Sequence, residues 1–179
     1  MVGGAIEPAE TDLLRWALWV CDFGRYGLPF DEGAREWVTD VNVSYKRDAL
    51  EATRALRAER FSEPILHWAF QDRGETLFLS PRPVVVYLRS PTTLEVAVPE
   101  RFHWGLLFGA IRATRMGPAK RAAFVVAGPI IPLRVFFRHA MIQRRKGRGR
   151  RFVRAAPLTL ALLFAWSAGE VVGYLTGRP

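Results

Sequence analysis

A chain of 179 residues can bury one modest core, and one that is half hydrophobic, with six Trp, four Tyr and twelve Phe, is not a disordered tail. Its single cysteine, Cys21, excludes an intrachain disulfide framework and a cysteine zinc site. The net charge of +9 hides an asymmetry: residues 1–100 carry 11 Lys/Arg against 16 Asp/Glu, whereas residues 101–179 carry 15 Lys/Arg against Glu170 alone. The first part reads as an acidic globular unit and the second as a surface that meets anions.

In chain order, Met1 to Asp12 has neither a basic nor an apolar leader region, so a cytoplasmic, reducing side is expected for the folded part. Residues 12–22 concentrate Leu13, Leu14, Trp16, Ala17, Leu18, Trp19 and Val20, which predicts a buried helix ended by Gly24, Gly27 and Pro29. Cys21 within it reads as a small buried hydrophobe rather than a nucleophile. Residues 36–45 look like a short strand, residues 47–57 like a helix, and residues 64–72 like a second helix closed by Arg73-Gly74. Residues 76–79 and 84–88 are strand-like, and Pro81 and Pro83 between them argue against one continuous central strand. Residues 102–115 predict a helix with Trp104, Leu107, Phe108 and Ile111 on one stripe.

The character changes near Gly117-Pro118. Residues 122–133 are uncharged, residues 143–154 hold seven Lys/Arg, and residues 155–169 are again uncharged before Glu170. A membrane-spanning helix needs about 20 apolar residues. The first apolar stretch is too short and is broken by Gly128, Pro129 and Pro132; the second reaches that length only by including Glu170. A helical hairpin lying in the interface, or partly re-entrant, is therefore expected over 118–179, with a basic loop at 143–154 facing the cytoplasmic leaflet. Residues 1–117 are expected to form an α/β domain with a mixed sheet and flanking helices (α+β as truncated).

Several segments together resemble family 2 glycosyltransferases of the GT-A fold. Val2-Gly3-Gly4-Ala5-Ile6-Glu7-Pro8 is similar to a Gly-Gly turn of that family, which follows the strand bearing its metal-binding D-x-D. Asn42-Val43-Ser44-Tyr45-Lys46-Arg47-Asp48-Ala49-Leu50 resembles its N-x-S/A-[YF]-[RK]-R-x-A-L segment beside the acceptor site. If residues 42–44 form a strand, Asn42 and Ser44 share a face and can offer hydrogen bonds to a sugar. Phe61-Ser62-Glu63-Pro64-Ile65-Leu66-His67 resembles the segment that supplies the family's catalytic base. The resemblance assigns that role to Glu63. A helix N-terminus favours its carboxylate form, and His67, four residues on, shares its helix face and can orient it or touch a phosphate.

Arg101-Phe102-His103-Trp104-Gly105 with Arg112 is similar to the family's R-[FY]-x-W-G-R helix, although Leu106 stands where an arginine is usual. It makes Arg101, His103 and Arg112 candidates for phosphate contact and Trp104 a candidate for stacking on a sugar, with packing the commoner job of such a Trp. Trp166-Ser167-Ala168-Gly169-Glu170-Val171-Val172-Gly173-Tyr174 resembles the W-x-x-G-E-x-x-G-Y signature of membrane-bound members.

The resemblance implies an inverting transfer from a nucleotide-sugar to a lipid-linked or polysaccharide acceptor at the cytoplasmic face of the cell membrane. It also implies Mg²⁺ or Mn²⁺ in the complete enzyme. No D-x-D occurs in this chain, so the nucleotide-binding half is expected to be absent, metal ligands with it, and the isolated chain to be inactive. A separate N-terminal half is then one expected partner. The competing expectation is a non-catalytic membrane protein that binds anionic lipid or a partner through the basic hairpin. Nucleic acid is not expected as a partner: the basic run lies between apolar stretches and carries one aromatic, Phe152.

Overall fold

The computed structural model describes residues 1–9, 12–57 and 62–178, which leaves Phe61 of the Glu63 segment outside the described residues. Four strands and seven α-helices are present among them, a mixed α/β composition. Two compact units divide the chain: Met1–Ala9 with Tyr26–Tyr87, and Glu10–Arg25 with Leu88–Pro179. Residues 94–113, expected within the 1–117 domain, group with the C-terminal helices.

The first unit is built on β1 (Val2–Pro8), β2 (Gly33–Ala34), β3 (Val43–Ser44) and β4 (Phe78–Tyr87) in the order β2-β4-β1-β3. β1 and β4 are parallel, and the two short strands pair antiparallel with them. The sequence predicts two strands parted by Pro81 and Pro83. Instead β4 runs through both prolines, and the disruption takes the form of a register break. Gly3 faces Leu79 but Ala5 faces Val84, so residues 80–83 stand opposite Gly4 alone. Ala5, Ile6, Val38, Leu66, Phe70, Leu77 and Leu79 are among the buried apolar residues of this unit.

The strand expected over 36–45 shrinks to Val43–Ser44. Thr39 is responsible: its Oγ1 accepts from the Val41 N–H at 3.3 Å and caps a 3-10 turn at Asp40–Asn42. After α1, described below, come α2 (Arg47–Ala52), which passes into a 3-10 turn at Arg54–Arg57, and α3 (Glu63–Asp72). Gly74, at φ +73°, ends α3 as expected: its N–H donates to Gln71 O and that of Glu75 to Phe70 O, each at 2.9 Å.

The second unit is helical. α1 (Leu13–Phe23) is capped by Asp12, whose carboxylate accepts from the Arg15 N–H at 2.9 Å. α4 (Leu94–Ala113), α5 (Pro118–Ala127), α6 (Ile131–Arg145) and α7 (Gly149–Thr176) follow. α7 is long and apolar enough to cross a membrane. It is also the helix on which this unit is assembled, since α1, α4, α5 and α6 all pack against it. Its buried residues, Phe152, Ala155, Thr159, Leu162, Ser167, Glu170 and Gly173, recur at helical spacing along its whole length. Residues 143–154, expected as a basic loop, are the end of α6, a turn at 146–148 and the start of α7. Arginine is a good helix former, and Gly147 at φ +73° confines the reversal to three residues.

Candidate functional site

In the first unit Glu63 opens α3 with Pro64 behind it, so its carboxylate stands at the positive end of the helix. The Glu63 side chain is about one quarter exposed, within reach of solvent or substrate. His67 lies one turn on, fully buried, with Nδ1 3.8 Å from Glu63 Oε1. That separation is an ion-pair contact when the imidazole is protonated and is too long for a hydrogen bond. The Trp37 ring packs on the His67 imidazole at 5.2 Å between centroids, and Trp68 in turn packs on Trp37 at 6.1 Å. Tyr45 packs on Phe70 at 5.9 Å. Burial, with the nearby carboxylates of Glu63 and Asp40, pushes the Tyr45 phenol up to about 12. The expected pairing of Glu63 with His67 on one face is therefore present, and Tyr45 joins them.

Asn42 and Ser44 fare differently from the expectation of a shared strand face. Ser44 is exposed at the end of β3, opposite Val2. Asn42 sits in the 3-10 turn, and its Nδ2 donates to Ala5 O at 2.8 Å and to Pro83 O at 3.1 Å. Those carbonyls flank the register break, so the Asn42 amide bridges β1 and β4 where the ladder fails. Gly4 leaves room for it: a Cβ there would collide with the Asn42 amide and with Pro83 O. Gly3 likewise admits Val38, whose Cβ would stand 2.7 Å from an added Cβ. The Gly3-Gly4 pair, expected as a turn near a sugar phosphate, lies inside β1 and serves packing.

In the second unit, Arg101 is buried, forms an ion pair with Asp22 of α1, and lies 4.4 Å from the Trp166 ring centroid on α7. One guanidinium thus ties three helices together. Arg112 donates to the Tyr174 hydroxyl at 2.6 Å and lies 3.4 Å from Glu170 Oε1, and Tyr174 donates to that same oxygen at 3.0 Å. Its guanidinium also lies 4.7 Å from the Phe124 ring centroid. Both arginines proposed for phosphate contact are engaged by internal partners. His103 and Trp104 are exposed on α4, so Trp104 presents a ring to solvent rather than a packed core.

The W-x-x-G-E-x-x-G-Y residues acquire a physical account here. Gly105 and Gly109 on α4 face Gly169 and Gly173 on α7. An added Cβ at Gly105 would strike the Trp166 backbone, at Gly109 that of Glu170, at Gly169 that of Phe102, and at Gly173 that of Leu106. Two G-x-x-x-G faces therefore bring the helix backbones into contact. Trp166, Glu170 and Tyr174 then hold Arg101 and Arg112 across the crossing. The four-residue glycine spacing on both helices is the sequence signal for this crossing.

The basic run divides by role. Lys146 donates to Gly24 O at 3.3 Å and Arg25 O at 3.0 Å, and so caps the C-terminal end of α1. Arg148 stacks over Trp19 and Arg151 over Trp16 at 5.2 and 5.3 Å. Arg144, Arg145, Arg150 and Arg154 are exposed. Cys21, half-buried on α1, has its thiol pushed up to about 12 by desolvation, opposed in part by Arg101, which disfavours a thiolate.

Among the described residues no three His, Cys, Asp or Glu side chains converge as a metal site. The described residues do not offer a ligand set for Mg²⁺ or Mn²⁺. Comparison with protein families, curated proteins and solved structures gives no match.

Proposed function

We propose that this chain supplies the acceptor side of an inverting sugar transfer from a nucleotide-sugar to a lipid-linked or polysaccharide acceptor at the cytoplasmic face of the cell membrane. The observation that carries the proposal is Glu63: a partly exposed carboxylate at the head of α3, backed by buried His67, in a segment that resembles the base-bearing segment of family 2 glycosyltransferases. In the reaction the acceptor hydroxyl oxygen attacks the anomeric carbon and the nucleoside diphosphate leaves from the opposite face. Glu63 takes the hydroxyl proton as the new C–O bond forms. Donor binding, and any cation at the diphosphate, fall to residues outside this set, from a partner or a further segment.

The test is incorporation of labelled sugar by membranes of cells producing the protein. Glu63→Gln preserves shape and removes the base, so incorporation should drop by about 10²-fold or more. Equal incorporation with the wild type, the variant and the deleted gene would remove the proposal.

A second reading has support of its own. Arg101 and Arg112 are held by Asp22 and Glu170, which suits a helical unit built for cohesion rather than diphosphate binding. On that reading the protein is a non-catalytic membrane protein that binds anionic lipid or a partner, and its cellular function survives Glu63→Gln.

A further inference from the structure

The helical unit has two apolar elements in different environments, α7 and the α5–α6 pair. α7 passes the length and hydropathy test for a span, yet α1, α4, α5 and α6 pack on it, Glu170 on it is engaged by Arg112, and its glycines are closed against α4. Moving α7 into lipid would require stripping those helices from it. α5 and α6 differ. They are separated by a three-residue break at 128–130 and bent by 69°. Val126 and Ile130, at this bend, are 78% and 67% exposed. Leu133, Phe137 and Met141 continue an exposed apolar stripe along α6 at four-residue spacing. His139 and Gln143, on another side of α6, are buried, so the stripe is not the face that packs inward.

Charge surrounds this apolar ridge. Arg134 and Arg138 form an exposed row beside the stripe, Arg144 and Arg145 continue it at the end of α6, and Lys120 stands exposed at the start of α5. No acidic residue occurs between Arg101 and Gly169. The uncharged part of α5, residues 122–127, is about 9 Å long at 1.5 Å per residue, and Arg134 follows the break by four residues. That reach fits the headgroup and upper acyl region of one leaflet and falls short of a core about 30 Å thick.

Resting on the membrane reading above, we propose that α5 and α6 form a bent wedge whose tip, Val126 to Leu133, inserts into one leaflet of an anionic bilayer, with the arginines of α6 at the phosphates and α7 remaining the packed centre of the helical unit. The apolar ridge supplies insertion and the arginine row supplies selectivity for anionic headgroups.

The test uses the full chain carrying Cys21→Ser and a single new cysteine, Ile130→Cys at the tip or Phe164→Cys on the exposed side of α7, labelled with an environment-sensitive fluorophore. Vesicles are phosphatidylcholine alone or mixed with phosphatidylglycerol. The probe at position 130 should shift to the blue on the mixed vesicles, and the probe at position 164 should not. A shift at 164, with or without one at 130, overturns the proposal, and so does silence at both. In flotation with the same vesicles, Arg134→Gln with Arg138→Gln should weaken binding about 30-fold, about five-fold for each arginine. Ile130→Asp should weaken it more than about ten-fold. Equal binding to neutral and anionic vesicles contradicts the role given to the arginines. The fluorophore shift does not depend on Glu63: in the Glu63→Gln background the probe at position 130 should shift as in the parent, so a failed transfer assay with the shift intact removes only the catalytic proposal, and silence at position 130 with Glu63-dependent transfer intact removes only the wedge.

Discussion

Arg112 and Glu170 face each other across the α4–α7 crossing, and the two sides of this pair should not be equally expensive to remove. The Glu170 side chain is 9% exposed and that of Arg112 25%. Arg112→Met strands a carboxylate in an apolar helix interface with neutral donors alone, the Tyr174 hydroxyl and the Trp166 side chain. Breaking a buried pair from one side costs about 3–5 kcal/mol, and the deeper burial of the carboxylate places this variant within that range. Glu170→Gln keeps an oxygen for the Tyr174 hydroxyl and leaves Arg112 with Tyr174, the Phe124 ring and partial solvent access, so its cost should be about 1–2 kcal/mol. The double variant removes both charges and should be less destabilised than the sum of the two by about 1–3 kcal/mol. For a chain of this size 1 kcal/mol moves the melting temperature by about 2–4 °C, so Arg112→Met should melt about 6–20 °C lower and Glu170→Gln about 2–8 °C lower. Thermal unfolding followed by far-ultraviolet circular dichroism reads both, since the helical unit dominates that signal. A Glu170→Gln loss as large as that of Arg112→Met, or strict additivity in the double variant, would refute the assignment of this pair as a buried brace.

Three further predictions probe the rest of the account. Gly169→Val pushes a side chain into the Phe102 backbone and should lower the melting temperature by about 5–10 °C or more, whereas Gly117→Ala, with nothing within 4 Å of the added Cβ, should change stability by less than about 0.5 kcal/mol. Asn42→Ala leaves the carbonyls of Ala5 and Pro83 without this donor and should cost about 1–3 kcal/mol in urea unfolding; a neutral result would mean that the bridge across the register break is dispensable. Cys21 should react with a disulfide reagent at pH 8 about 10²–10³-fold more slowly in the folded chain than in denaturant, because a thiol raised from 9.0 to about 12 stays protonated there, and equal rates would show an accessible, ordinary thiol.

Much of the helical content was legible because local signals agreed. The Leu-Trp run marked α1, and Gly74 marked the end of α3. The failures have physical causes. The alternation of Thr39, Val41 and Val43 imitates a strand, but the Thr39 hydroxyl caps the backbone into a turn, and the Asn42 side chain is spent on carbonyls more than thirty residues away in sequence. Pro81 and Pro83 argued for two strands, yet a parallel partner on one side tolerates them once the register slips opposite Gly4. For the candidate site, the four-residue spacing of Glu63 and His67 was enough to place them together. Arg101 and Arg112 stand in the sequence as candidates for phosphate contact, because their partners, Asp22 and Glu170, lie 79 and 58 residues away. A hint was available: Glu170 is the only acidic residue after Glu100, and a carboxylate on an apolar helix needs a cation.

The most direct measurement of the central proposal is a mass-spectrometric comparison of lipid-linked and polysaccharide glycans from cells carrying the native gene, Glu63→Gln, or no gene, with the level of membrane-bound protein matched between the first two. The account predicts that Glu63→Gln and the deletion lose the same sugar increment while the variant protein stays at the membrane. Glycans in the variant identical to the wild type, with a defect only in the deletion, would contradict catalysis by Glu63 and leave the non-catalytic membrane role.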